Sequence, residues 1–200
     1  MIDQYKHDEL LSLDGCKNDG KNVYDYLTNT LQVPESNIRL IADDGATREA
    51  ILSEFKNHLI LNNEIRKGDC MLFFYSGHGT RIQAPTEWFA VNDLVEAICP
   101  YDEGTIDSNG NTIFAIPDCT FDGLMRELAS QKGDNIVRLY DFFSGYLFTN
   151  RCFLSFSRWQ YLILAIREVS HAALGRSAID LLRLTTSLNI LTMISACGGD

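Results

Sequence analysis

Six uncharged residues, Cys70-Met71-Leu72-Phe73-Phe74-Tyr75, run directly into Ser76-Gly77-His78-Gly79. Histidine is the side chain whose ordinary pKa allows proton transfer near neutral pH, so an imidazole at the end of a buried strand is a candidate general base. The glycines on either side predict a sharp turn off the strand that leaves the ring uncovered; the plainer alternative is a polar turn in which glycine only supplies a positive φ. A second apolar run, Ile136 to Tyr140, ends in Asp141-Phe142-Phe143-Ser144-Gly145. Nucleophile candidates are scattered: six cysteines at 16, 70, 99, 119, 152 and 197, none in a CxxC pair. With no secretory signal, that pattern favours reduced thiols in a cytoplasmic protein over a disulfide framework.

The elements around these residues alternate. Asn18 or Asp19 is a cap for a helix with Val23, Tyr26, Leu27 and Leu31 on one face. Ile38 to Ala42 reads as a short strand, Asp43-Asp44-Gly45 as a turn, and Thr47 as the cap of a helix with Ile51, Phe55 and Leu59 in one stripe. The run 70–75 is apolar on both faces, as expected of a central strand in a parallel sheet covered by helices. Residues 85–118 read as long and irregular, Leu124, Met125 and Leu128 as a short helix, and 136–140 as a strand. Strand and helix in this order predict an α/β fold with right-handed crossovers. Ligands in such sheets bind beyond the carboxyl ends of the strands, where both the 70–75 and 136–140 runs stop.

The 200 residues suggest one domain, and the formal charge of −10 excludes the basic footprint of a nucleic-acid binder. No apolar stretch approaches the ~18 to 20 residues of a membrane span. Residues 1–140 hold 23 acids and 12 bases, against 4 and 5 in residues 141–200, and all six lysines precede residue 133. The shift marks either a boundary near 141 or a buried C-terminal stretch. Within that stretch, Trp159, Leu162, Ile163, Ile166 and Val169 fall at helical spacing, as do Leu174, Ile179 and Leu182, and read as core faces.

The segment Cys70 to Arg81, CMLFFYSGHGTR, closely resembles the histidine loop of caspase-like peptidases, specifically the metacaspases. Gly15-Cys16-Lys17-Asn18-Asp19, Glu96 to Asp102 and Ala115-Ile116-Pro117-Asp118 agree with the same family, so the resemblance spans about 5–141 with a divergent tail over 142–200. It implies a three-layer α/β/α sandwich with a mostly parallel sheet. It also implies a cytosolic, monomeric cysteine endopeptidase that cleaves peptides and proteins after Arg or Lys, linked to cell death and protein quality control. His78 takes the place of the base. Asp19, Ser76 and Asp141 take the places that bind a basic substrate side chain. Asp102 and Asp118 resemble calcium ligands, calcium being the one cofactor the resemblance brings and none being required.

The departures are as informative. The family pattern D-C-C-H-S-G carries the nucleophile on its second cysteine; here Asp141-Phe142-Phe143-Ser144-Gly145 is one residue shorter and puts Phe143 there. Phenylalanine has no acidic proton and no lone pair, so peptide cleavage by the family mechanism is not expected. Cys152 and Ser144 are the substitutes in reach, each needing the base beside it; Cys16, Cys70, Cys99 and Cys119 read as small hydrophobes. The family's first, central strand is represented only by Met1 to Tyr5, which predicts an incomplete sheet, and Arg138 interrupts a run that is otherwise apolar. Leu191 to Gly198 resembles a later core strand. These faults suggest a truncated or mis-spliced reading of a metacaspase gene, or a selected pseudopeptidase that binds basic peptides or calcium without cutting.

Overall fold

The computed structural model describes residues 1–85, 88, 93–143 and 188–192, with 141–143 and 188–192 described as backbone. In chain order its elements are α1 (Cys16–Asp25), β1 (Ile38–Arg39), α2 (Arg48–Phe55), β2 (Cys70–Gln83), β3 (Leu94–Ile98), β4 (Ile116–Pro117), α3 (Asp118–Lys132), β5 (Ile136–Phe143) and β6 (Leu188–Thr192). Wider π-type turns extend α1 through Thr30 and α2 through Ile60.

β2 organises the sheet. Its first half pairs in parallel with β5 on one side and β6 on the other, and β6 in turn pairs in parallel with β1. Its second half pairs with antiparallel β3, which pairs with β4. Successive side chains of a strand point to opposite faces. Met71, Phe73 and Tyr75 accordingly join a core with Ile51 and Phe55 of α2 and Phe121, Leu124 and Leu128 of α3. Leu72 and Phe74 join a second core with Cys16 and Val23 of α1 and with Leu27 and Val33. Helices therefore cover both faces, giving the α/β/α layering expected of the sequence.

Local signals fare unevenly. Thr47 caps α2 as predicted, its Oγ1 accepting from the Ala50 N–H at 3.2 Å. Neither Asn18 nor Asp19 caps α1. The buried carboxylate of Asp3 does so from a distance, accepting from the N–H groups of Cys16 (2.9 Å) and Lys17 (3.2 Å). A cap supplied from thirteen residues away satisfies the orphan donors of the first turn as well as a local one, and leaves no local signature. Arg138 does not bury its charge: it is half exposed and bonds Asp122 Oδ1 at 2.8 Å.

Two expectations are corrected. The row between β1 and β2 is filled by β6, at the centre of the sheet; of the segment 191–198 expected as a later core strand, Leu191 and Thr192 belong to β6 and the rest lies outside the described residues. Nor does the chain turn off the sheet at Ser76: β2 continues through Gln83, part of the 85–118 stretch forms β3 and β4, and the short helix near Leu124 extends over fifteen residues. Among the described residues no helix is long and apolar enough to cross a membrane. The helical faces proposed over 159–182 lie outside the described residues.

Candidate active site

His78 sits where β2 exchanges partners. Its Cα pairs with Phe143 of β5, the next residue Gly79 pairs with Ile98 of β3, and its carbonyl accepts from Cys99 N–H at 3.0 Å. The imidazole is thus presented within a strand, at the fork between the parallel and antiparallel parts of the sheet, and not on a loop.

Two tyrosines hold it there. Tyr5 Oη accepts from the His78 N–H at 2.7 Å, and the two rings pack at 5.0 Å between centroids. Tyr75 Oη stands between the carbonyls of His78 (2.8 Å) and Cys99 (3.0 Å). Burial drives both phenols well above their ordinary range, so they act as neutral hydrogen-bonding struts. These hydroxyls also explain Gly77. Its φ is not positive; a Cβ there would lie 2.6 Å from Tyr75 Oη and 3.0 Å from Tyr5 Oη. The glycine is required for close approach, and both sequence-based reasons for it are replaced.

The imidazole Nε2 lies 2.7 Å from the Leu11 carbonyl oxygen. A carbonyl can only accept, so Nε2 carries the proton, and in the neutral ring the lone pair falls on Nδ1. A backbone carbonyl therefore selects the tautomer, leaving Nδ1 as the basic nitrogen. Half-buried Glu103 has its pKa raised by desolvation, with His7 and His78 acting in the opposite direction.

Ser76, predicted to bind substrate, is wholly buried beside the Cys16 thiol. Asp141 occupies the paired position of β5 beside it. Asp19 lies in the first turn of α1, three residues from Cys16 and four from Val23, on the helix face that covers this side of the sheet. The fold thus gathers His78, Ser76 and the backbone positions of Asp141 and Phe143 at the carboxyl ends of two adjacent parallel strands. Tyr5, Tyr75 and Leu11 were missed by sequence reasoning: Tyr75 closes an oily run and carries a weak signal, whereas a main-chain carbonyl carries none.

The four described thiols are unsuited to nucleophilic attack. Burial pushes Cys16 and Cys99 up to about 12 and Cys70 to about 11, and raises Cys119 as well. At pH 7 iodoacetamide is expected to modify Cys16 and Cys99 about 10³-fold more slowly in the folded protein than in denaturant, checked by mass spectrometry of the labelled peptides. Cys152 and Ser144 lie outside the described residues.

The calcium expectation meets a different use of its ligands. Asp102 is buried and its Oδ1 accepts from the Arg48 N–H at 2.8 Å, closing the start of α2; Asp118 is exposed and accepts from the Cys119 N–H. Calcium takes six to eight oxygens, and no group of three or more His, Cys, Asp or Glu side chains among the described residues is placed to hold a metal. Among the described residues, Asp102 and Asp118 are not brought together with a third such side chain as a calcium cage. Asp102→Ala, assayed with a chelator present, is expected to lower stability by about 1–2 kcal/mol in chemical denaturation, the loss of a buried charged acceptor at a helix start.

A mostly parallel sheet sandwiched between helices, with a histidine at the carboxyl edge of its parallel part, is the architecture of a caspase-like peptidase domain. Residues 3–130 match the family described as metacaspase, peptidase C14 domain, and the chain belongs to that family. The match begins slightly before the expected segment 5–141 and ends before β5, so Asp141 and Phe143 lie beyond it. No curated protein and no solved structure matches the chain.

Proposed function

We propose that this chain is a peptidase-lineage domain that recognises Arg or Lys side chains of peptides and proteins and does not cleave them. The observation that carries the reading is the shared row of His78 and Phe143: the position next to the base bears a hydrocarbon ring in place of a thiol. A base that has no acidic proton to remove has no nucleophile to activate. Recognition is supported separately. Asp19 and Asp141 supply carboxylates, which reward a guanidinium with charge-assisted, bidentate hydrogen bonds. A formal charge of −10 favours basic partners and disfavours nucleic acid. In this reading the protein is a cytosolic monomer that needs no cofactor.

Titration calorimetry with a short Arg-containing peptide tests the recognition. Micromolar binding that weakens at least about tenfold in Asp19→Ala is the expected result, since removing one partner of a charged hydrogen bond costs about 1.5–3 kcal/mol. Absence of heat with both Arg and Lys peptides would sink it.

A further inference from the structure

The face of β5 on the α1 side of the sheet changes character along the strand. Val137 and Leu139 pack against the second core, so the alternation of a strand puts positions 141 and 143 on that same face, further toward the carboxyl end. The neighbouring strand keeps step: Leu72 pairs with Val137, Phe74 with Leu139, Ser76 with Asp141 and His78 with Phe143. Two apolar rows are thus followed by a polar row, and then by a row that sets an imidazole beside a phenylalanine.

The order of these rows decides what Phe143 is for. A carboxylate is costly to bury without partners, so the row of Asp141 marks the end of the apolar core. Phe143 stands one row beyond it, at the carboxyl end of the strand, where parallel sheets bind their ligands. Positions two apart on one strand lie about 6.6 Å from each other. An aromatic face attracts a cation within about 6 Å of its centroid, so a cation bonded to a carboxylate at 141 is within range of a ring at 143. Phenylalanine has no proton to give a base, but its π face carries negative charge density.

We propose that Phe143 is a specificity-determining residue of the basic-side-chain site: its ring stacks on the ligand's cation while the carboxylates of Asp141 and Asp19 bond that cation's edge, so the site takes arginine in preference to lysine. The inference rests on the recognition of basic side chains proposed above. A guanidinium is planar and weakly hydrated, and it offers N–H groups to carboxylates in its plane and its face to a ring at the same time. An ammonium is a compact, strongly hydrated point charge and gives up more water to lie on a ring. Carboxylates attract both cations; the ring separates them.

The test is titration calorimetry with two peptides that differ only in carrying one Arg or one Lys, on the parent, Phe143→Leu, Phe143→Tyr and Asp19→Ala proteins. Leucine keeps apolar bulk at 143 and removes the π face. The parent is expected to bind the Arg peptide more tightly than the Lys peptide. Phe143→Leu should weaken Arg binding about 3- to 30-fold, the range of a cation–π contact, and shrink the preference over Lys; Phe143→Tyr should keep both. An undiminished preference in Phe143→Leu, or equal weakening of both peptides, would overturn the role of the ring and leave recognition of basic side chains standing. No binding of either peptide to the parent, or binding indifferent to Asp19→Ala, would overturn that recognition and the inference with it. A second readout needs no leucine variant. Nuclear Overhauser contacts from the bound arginine's δ protons to phenylalanine ring protons are expected in the parent and not in Phe143→Tyr; their absence from the parent would overturn the stacking.

Discussion

Incubated with an Arg-terminated fluorogenic peptide and calcium, the protein is expected to release fluorophore no faster than its His78→Ala variant. A nucleophile and its base act as a unit, so loss of the thiol alone removes on the order of 10⁶ of the turnover a cysteine peptidase would show. A second loss, of the base, then removes nothing more. The positive arm is Phe143→Cys. It puts a thiol on the β5 position paired with His78, where neighbouring strands stand about 4.8 Å apart. General-base assistance contributes roughly 10²–10⁴; a gain of at least about 10² over the parent is expected. Two results would contradict this: parent turnover that vanishes in Cys152→Ala, which would move the nucleophile, or a Phe143→Cys protein indistinguishable from His78→Ala.

Gly77→Ala should be the most damaging single methyl in the sheet. Its Cβ would meet Tyr75 Oη at 2.6 Å. A flexible side chain could swing away, but Tyr75 is fully buried and its hydroxyl stands between two main-chain carbonyls. Relief requires moving a packed ring or breaking those bonds, which together cost about 2–4 kcal/mol. The same displacement would shift His78, whose N–H bonds Tyr5 Oη, also within 3.0 Å of the new methyl. Chemical denaturation gives the first effect and histidine NMR the second. The companion change Tyr75→Phe removes the clashing oxygen, so the double variant should recover part of the loss. Strict additivity of the two changes would show that the hydroxyl is not the obstacle.

The incomplete first strand shows how a correct reading of residues leads to a wrong sheet. Met1 to Tyr5 matches only the end of the family's opening strand. Leu188–Thr192 takes the row between β1 and β2, pairing with residues more than a hundred positions away in the chain. Resemblance marks Leu191 onward as a strand; it has no means of choosing among rows.

Sequence alone determined what depends on near neighbours. The uncharged run 70–75 had to be a covered strand, Thr47 had to start a helix because its hydroxyl reaches Ala50 N–H three residues on, and the motifs at Gly15–Asp19, Cys70–Arg81 and Ala115–Asp118 carried the resemblance to the family. Only the tertiary structure decided what depends on residues far apart in the chain. Leu11's carbonyl assigns the proton on His78, Asp3 caps a helix it does not belong to, and Tyr5 and Tyr75 leave Gly77 no room for a methyl. Each of these is a hydrogen bond or a contact made by chain folding back on itself, and its partners are named by three-dimensional proximity, which no local pattern encodes.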